Sequence, residues 1–221
     1  MLSAQITSLE FPTFQLSEND REDILAVSLA TGYSMFPVLN KEIFVGLISI
    51  KDLNALPANT RLSDAQNHFL KAALNEKDYF LSAFKLMSLT QYPILPVVNT
   101  DNQYCGTITQ QSLLNALGIF LDIQENNGGV IVLQMDKLDY SFSEISRLIE
   151  SDNASITHLN TYFDIPTAAF IVSIKINRMN VSEIIATLQR FDYQILYSTS
   201  EEIYENELKR NYEGLMNYLN I

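Results

Sequence analysis

One stretch of this chain is written twice. From Phe36 it reads FPVLNKEIFVGLISIKDL, and from Leu95 it reads LPVVNTDNQYCGTITQQSLL. Each copy has a proline, an apolar run, a polar turn, and a second apolar run entered through glycine. A Ser or Thr then precedes a helix-like segment. Pro37 answers to Pro96, Gly46 to Gly106, Ser49 to Thr109 and Leu53 to Leu113. The offset drifts only from 59 to 60, so the copies differ by one residue in the turn. A repeat at a fixed period constrains the architecture more than any local propensity, because each copy must be the same supersecondary unit.

The repeat extends upstream. Leu16-Ser17-Glu18-Asn19-Asp20 corresponds to Leu74-Asn75-Glu76-Lys77-Asp78, and each stretch precedes a helical pattern. Ile24, Val27, Leu29 and Ala30 form one apolar face, and Leu81, Phe84, Leu86 and Met87 form the other. Ser17 and Asn75 are the expected N-caps, since their side-chain oxygens can accept from orphan backbone N–H groups. The runs around Val38, Val45, Val97 and Ile108 are apolar and β-branched, as short buried strands are. Asn40-Lys41-Glu42 and Asn99-Thr100-Asp101-Asn102 have hairpin chemistry. Each unit thus reads as short strand, helix, strand, strand, helix, with the first over about 10–56 and the second over about 66–121. The polar residues 54–67, with Pro57, link them.

Residues 124–129, QENNGG, are the expected linker between a first domain over 1–123 and a second over 130–199. Beyond it the pattern changes. Val130–Met135, Ile156–Tyr162, Ala168–Ile176 and Tyr193–Tyr197 read as strands. Helices are expected over Ser141–Ser151, with Ser141 and Glu144 as a capping box, and over Val181–Phe191, with Asn180 and Glu183 as the pair. The order β-α-β-β-α-β is the ferredoxin-like topology. Residues 200–221 are expected to form a C-terminal helix, with Tyr204, Leu208, Tyr212, Leu215 and Leu219 on one stripe. The fold class is therefore α+β.

Composition excludes several functions. At 47 % hydrophobic and 18 % charged, the chain is globular in character. The net charge of −12 falls evenly: residues 1–125 hold 7 Lys/Arg against 13 Asp/Glu, and residues 126–221 repeat those counts. Neither half offers a basic stripe for a phosphate backbone, so no nucleic acid is expected as a partner. The start MLSAQITSLE has no signal-peptide pattern. No apolar run approaches the roughly 20 residues that span a bilayer, so no membrane partner is expected. Cys105 stands alone, which excludes an intramolecular disulfide and suits a reducing cytoplasm. His68 and His158 lie in different domains without further ligands at metal spacing, so no metal site is expected. No nucleophile elbow, P-loop or dinucleotide fingerprint is present, and no constellation suited to acid–base chemistry. The chain is expected not to be an enzyme.

The paired PV…G…S/T pattern in β-α-β-β-α order resembles a tandem pair of CBS domains, a Bateman module, over about residues 10–121. Residues 130–199 resemble an ACT-type regulatory domain, chiefly by topology and by the stretch VIVLQMDKLDYSFSEISRLIESDNASI. The whole is similar to small bacterial CBS-plus-ACT proteins, including acetoin-utilisation-like ones. That resemblance implies a regulatory homodimer whose CBS pair holds an adenine nucleotide (AMP, ADP or ATP) or an adenosyl compound such as S-adenosylmethionine. In the family, Gly-h-h-Ser/Thr-x-x-Asp supplies a hydroxyl and a carboxylate to ribose and phosphate. Gly46-Leu47-Ile48-Ser49-Ile50-Lys51-Asp52 matches it in full. Ser49 and Asp52 are thus the implied anchors, with Met35 and Phe36 as apolar walls and Thr109 as the second hydroxyl. The helix N-terminus after Ser49 would face the phosphates.

A plainer reading of the same residues stays open. Ser-x-x-Asp at a helix start is also a capping box with a shortened acid. In the second unit Ser112 replaces the aspartate, losing a charge-assisted hydrogen bond worth roughly 1.5–3 kcal/mol. In the ACT-like domain Ser141 stands where a ligand-binding member has glycine. These serines favour the alternative, a structural adaptor or dimerisation protein with degenerate ligand sites.

Overall fold

The computed structural model describes residues 1–123 and 128–199. The expected C-terminal helix over 200–221 and the centre of the expected linker lie outside the described residues. The chain divides into an N-terminal domain, Met1–Phe120, and a C-terminal domain, Leu121–Ile221.

The N-terminal domain is built from two copies of one unit. The first comprises β1 (Phe14–Gln15), α1 (Arg21–Thr31), β2 (Met35–Asn40), β3 (Ile43–Ser49) and α2 (Ile50–Asn54). The second comprises β4 (Leu74–Asn75), α3 (Leu81–Thr90), β5 (Ile94–Val98), β6 (Tyr104–Thr109) and α4 (Gln110–Phe120). Each forms a three-stranded sheet in which the short first strand runs parallel to the second, and the second antiparallel to the third. The registers also repeat. Phe36 pairs with Ile48 as Leu95 pairs with Ile108, and the ladder slips by one residue at Val45 and at Cys105. The extra residue of the second copy sits in the hairpin, between Val98 and Tyr104.

The glycine before each strand-end motif has a spatial cause. A Cβ on Gly46 would stand 2.7 Å from Phe69 Cβ and 3.1 Å from the Leu70 carbonyl oxygen. On Gly106, at φ +129°, it would stand 2.9 Å from Thr7 Cβ and 3.1 Å from the Ser8 carbonyl oxygen. In each case a segment from elsewhere in the chain lies against the glycine. Leu70 exchanges two backbone hydrogen bonds with Leu47, at 2.8 and 2.9 Å, and Ser8 does the same with Thr107, at 2.9 and 3.0 Å. The segment leading into the second unit thus borders the first unit's β3, while the chain's N-terminal segment borders the second unit's β6. The two units exchange their opening segments, and only glycine admits backbone so close. The hairpin tips also meet, through Tyr104 N–H to Glu42 O at 2.8 Å and Phe44 N–H to Asn102 O at 3.0 Å.

Local expectations fail in two ways. The cap of α1 is Asp20, not Ser17: its carboxylate accepts from the N–H groups of Glu22 and Asp23, and Asp23 answers back to the Asp20 N–H. Asn75 lies in β4, and α3 begins at Phe80 with no side-chain cap. A capping box one turn further along wins because it satisfies two donors reciprocally, where a lone Ser17 could satisfy one. The apolar face of α1 is also narrower than its spacing predicts. Ile24 is fully buried, whereas Leu29 is 90 % exposed.

The C-terminal domain runs β7 (Val130–Met135), α5 (Phe142–Ser151), β8 (Ile156–Asp164), β9 (Ala169–Ile176), α6 (Ser182–Arg190) and β10 (Gln194–Ser198). The strands form one antiparallel sheet in the order β10-β7-β9-β8. Ile131, Leu133, Val172 and Ile174 pack against Ile145, Leu148, Ile149, Ile184 and Leu188 of the two helices. Alternation along β7 and β9 sends Val130, Val132, Ser173 and Lys175 to the opposite face.

Candidate functional site

The strand-to-helix junctions of the two repeats share a backbone and differ in chemistry. In both, the first helical N–H reaches back to the turn before the middle strand: Ile50 to Ser34 O at 2.9 Å, and Gln110 to Pro93 O at 3.2 Å. In the first repeat Ser49 caps α2, its Oγ accepting from the Asp52 N–H at 3.1 Å. The same hydroxyl donates to Asp52 Oδ2 at 2.6 Å. That bond fixes the carboxylate and leaves Oδ1 without a hydrogen-bond partner among the described residues. Both residues are half-buried.

In the second repeat the box closes on itself. Thr109 Oγ1 accepts from the Ser112 N–H at 3.0 Å, and Ser112 Oγ accepts from the Thr109 N–H at 2.9 Å. Ser112 Oγ also donates to the Thr109 carbonyl at 3.0 Å. Both side-chain oxygens of this pair accept from a backbone N–H of the junction, as a reciprocal capping box requires. Replacing Asp by Ser removes a charge and also spends the remaining hydroxyl on the backbone.

Met35 is the β-ladder partner of Ser49, so the structure brings Met35, Ser49 and Asp52 together. Phe36 points the other way. It is fully buried, edge-on to Phe14 at 5.4 Å and to Tyr33 at 6.4 Å between ring centroids. Thr109 sits opposite Ile94 in its own ladder, and no hydrogen bond joins it to Ser49 or Asp52. At five residues α2 accumulates little dipole, so its N-terminus adds little field beside the Ser49 hydroxyl and the Asp52 carboxylate.

Two cavities in the N-terminal domain lie away from Ser49 and Asp52. One, of about 390 Å³, is an apolar groove between α3 and α4 lined by Phe84, Met87, Leu113, Leu114 and Leu117 with polar rims. The other, of about 300 Å³, lies where the hairpins meet and is lined by Lys41, Glu42, Asn99, Gln103 and Cys105 among others. In the sequence Lys41, Glu42 and Asn99 read only as turn residues and Cys105 as a strand residue, because the meeting of two hairpins 60 residues apart leaves no local signature. Burial first, and then the Glu76 carboxylate, push the Cys105 thiol above its ordinary value. A low-pKa nucleophile is the opposite of this environment.

In the C-terminal domain Ser141 caps α5, accepting from the Glu144 N–H at 3.3 Å. The Glu144 carboxylate faces Tyr193 instead of returning to the cap. Burial, and then that carboxylate, raise the Tyr193 phenol above its usual range. Asn180 accepts from the Ser182 N–H at 3.0 Å, while Glu183 pairs with Arg178 at 2.9 Å and leaves the expected box half-made. Among the described residues no group of His, Cys, Asp and Glu could hold a metal ion, and no helix is long and apolar enough to cross a membrane.

Residues 55–119 match the family model of the CBS domain. The chain carries a CBS domain. The match runs from the end of the first repeat to the last turn of α4, and with the first repeat on the same plan the N-terminal domain is a CBS pair within an α+β fold. Among solved structures, a CBS domain pair/ACT domain protein from Thermotoga maritima is 23 % identical with a TM-score of 0.49, over 55 % of this chain and 99 % of that one. The CBS domains of a transcriptional regulator from Streptococcus pneumoniae are 14 % identical with a TM-score of 0.46, over 52 % and 98 %. CBSX2, solved in complex with AMP, is 18 % identical with a TM-score of 0.47, over 56 % and 98 %. No curated protein matches the chain in sequence.

Proposed function

We propose that this chain is a non-catalytic regulatory protein whose CBS pair senses an adenine nucleotide or S-adenosylmethionine in the first repeat. The observation that carries the reading is the Asp52 carboxylate, held by Ser49 through one oxygen and free to accept through the other. A ribose offers vicinal hydroxyls to such a group, and charge-assisted hydrogen bonds make the contact selective. Met35, the ladder partner of Ser49, and Phe36 are both buried in the core of the first repeat and back the anchor from there. Thr109 supplies at most a weak second anchor, since its hydroxyl is spent on Ser112. The C-terminal domain serves as an ACT-like assembly module of a cytoplasmic homodimer. Ligand binding acts by favouring one packing of the two repeats, which requires different affinities for the two arrangements.

A second reading has its own support. Ser49 and Asp52 bond to each other, and Ser112 and Ser141 both cap helices. A chain whose polar anchors all serve its own helices would be an adaptor, assembled through its domains without a ligand.

Thermal unfolding of nucleotide-stripped protein with AMP, ADP, ATP and S-adenosylmethionine separates them. A ligand at 100 times its dissociation constant adds about 2.7 kcal/mol. The sensor reading expects a raised midpoint with one of these ligands, lost in Asp52→Ala. No shift with any of them favours the adaptor.

A further inference from the structure

The face of the C-terminal sheet opposite α5 and α6 carries a cavity of about 490 Å³, a size typical of small-molecule sites. Its floor is a grid of cross-strand neighbours: His158, Lys175 and Val130 in one row, Asn160, Ser173 and Val132 in the next, then Tyr162 beside Ile171. Its walls are Leu121, Ile123 and Met179. We propose that this cavity binds a small organic monocarboxylate with a short aliphatic body, independently of any ligand at Ser49 and Asp52.

A polar face on an antiparallel sheet is ordinarily just the solvated side. Two features go beyond that. The Lys175 side chain is only 11 % exposed, and its ammonium is held at 2.7 Å by Asp122 Oδ2 and by the Asp122 backbone carbonyl. A lysine on a merely solvated face would extend into water, because burying an ammonium is costly. The second feature is that the side chains of Asn160, Tyr162 and Ser173 make no hydrogen bond to the described residues; Ser173 and Asn160 form the row next to Lys175, and Tyr162 lies one row further along β8. The floor therefore offers the one ammonium N–H that Lys175 has not given to Asp122, together with the N–H and O–H donors of an amide and two hydroxyls. That set matches an anionic oxygen acceptor, and charged acceptors gain most from it. A carboxylate would share the Lys175 ammonium with Asp122 while accepting from Ser173 and Asn160. The apolar walls then select an aliphatic body over a second charge. The chain's net charge of −12 also disfavours polyanions such as nucleotide phosphates at this face.

Butyrate is the probe, with butyramide as its neutral counterpart, titrated into the isotope-labelled full chain and followed by amide chemical shifts. Saturable shifts are expected at Asn160, Ser173 and Lys175, with butyramide weaker by about tenfold or more. Lys175→Met is expected to abolish the response. If that variant loses its fold with the Asp122 pair, Ser173→Val, which removes one donor and no charge, is expected to weaken butyrate by about tenfold. No saturable shift on β8 and β9, equal binding of butyramide, or unchanged affinity in a folded Lys175→Met or Ser173→Val chain would overturn the assignment. The Asp52→Ala chain should bind butyrate as the parent does, which keeps this test separate from that of the nucleotide site.

Discussion

The first and second repeats of the CBS pair agree in every element that backbone geometry dictates and disagree where only chemistry decides. Both have the parallel first strand, the bulge one residue before the glycine, and the exchanged segment lying on it. Yet the first ends its motif with a carboxylate that has an oxygen to spare, before a five-residue helix. The second ends with a serine folded back on its own cap, before an eleven-residue helix. One junction keeps a polar group available and has a short helix; the other spends its polar groups on a long one. Shared packing tolerates no drift, because a displaced core side chain costs several kcal/mol, whereas a cap can trade acid for hydroxyl at about 1 kcal/mol.

The largest expected effect probes what the repeats share. Phe36 and Leu95 occupy equivalent, fully buried positions. Phe36→Ala should cost about 3–5 kcal/mol and Leu95→Ala about 2–5 kcal/mol in chemical denaturation. A loss under about 1 kcal/mol at either would break the equivalence of the two cores. Next come the glycines. Gly46→Ala and Gly106→Ala each force a methyl group against the exchanged segment, and each should destabilise by about 2–3 kcal/mol. Gly106→Ala is the worse of the two, because its φ of +129° adds backbone strain. Equal losses would mean that crowding alone matters.

The caps sharpen the contrast at a smaller scale. Ser112→Ala should lose about 1 kcal/mol of stability, with no effect on any nucleotide-dependent shift in melting. Asp52→Ala should cost no more in stability but should remove that shift.

Acid acts on one repeat through a device the other lacks. Hydrogen bonds from the Asp20 backbone N–H and then from the Asn19 side chain hold the Asp23 carboxyl below its ordinary value. A depressed carboxyl stabilises the fold above its unfolded value, about 3.9, and loses that contribution as pH falls through the folded value. Stability measured from pH 5 to pH 2 should therefore fall less in Asp23→Asn than in the parent. The group is well exposed, so the difference is small. A steeper fall in the variant would contradict the sign. The least effect is expected at the bulge, where Val45 answers to Cys105. Cys105→Val should change stability by no more than about 0.5 kcal/mol. In the parent, alkylation by iodoacetamide at pH 8 should be slower than that of a free thiol, since the raised thiol keeps its proton.

What was legible in the sequence follows the range of the forces involved. The strands of both repeats and the sheet of the C-terminal domain announce themselves through alternation, β-branching and turn chemistry, all local. The exchange of Thr7-Ser8 and Phe69-Leu70 between units does not, because its only trace is a glycine whose reason lies some 20 or 100 residues away. Ser17 and Asn75 both have the chemistry of caps, but in the first repeat Asp20 and Asp23 satisfy each other, and in the second Asn75 turns its Oδ1 to the Lys77 N–H, well before α3. Ser49 and Asp52 could be named from their spacing. That one carboxylate oxygen is fixed and the other open depends on a rotamer that the sequence does not carry. Phe36 reads as a cleft wall in the sequence because an apolar residue beside a motif looks the same whether it faces a ligand or the core.

The central claim is that one repeat of the pair can anchor a ligand and the other has closed its site. Its most direct test is the stoichiometry of nucleotide binding, measured by isothermal titration calorimetry with whichever of AMP, ADP, ATP and S-adenosylmethionine raises the melting midpoint. The account predicts one molecule per chain, none in Asp52→Ala, and one still in Ser112→Ala. Two molecules per chain, or one that persists in Asp52→Ala and disappears in Ser112→Ala, would contradict it.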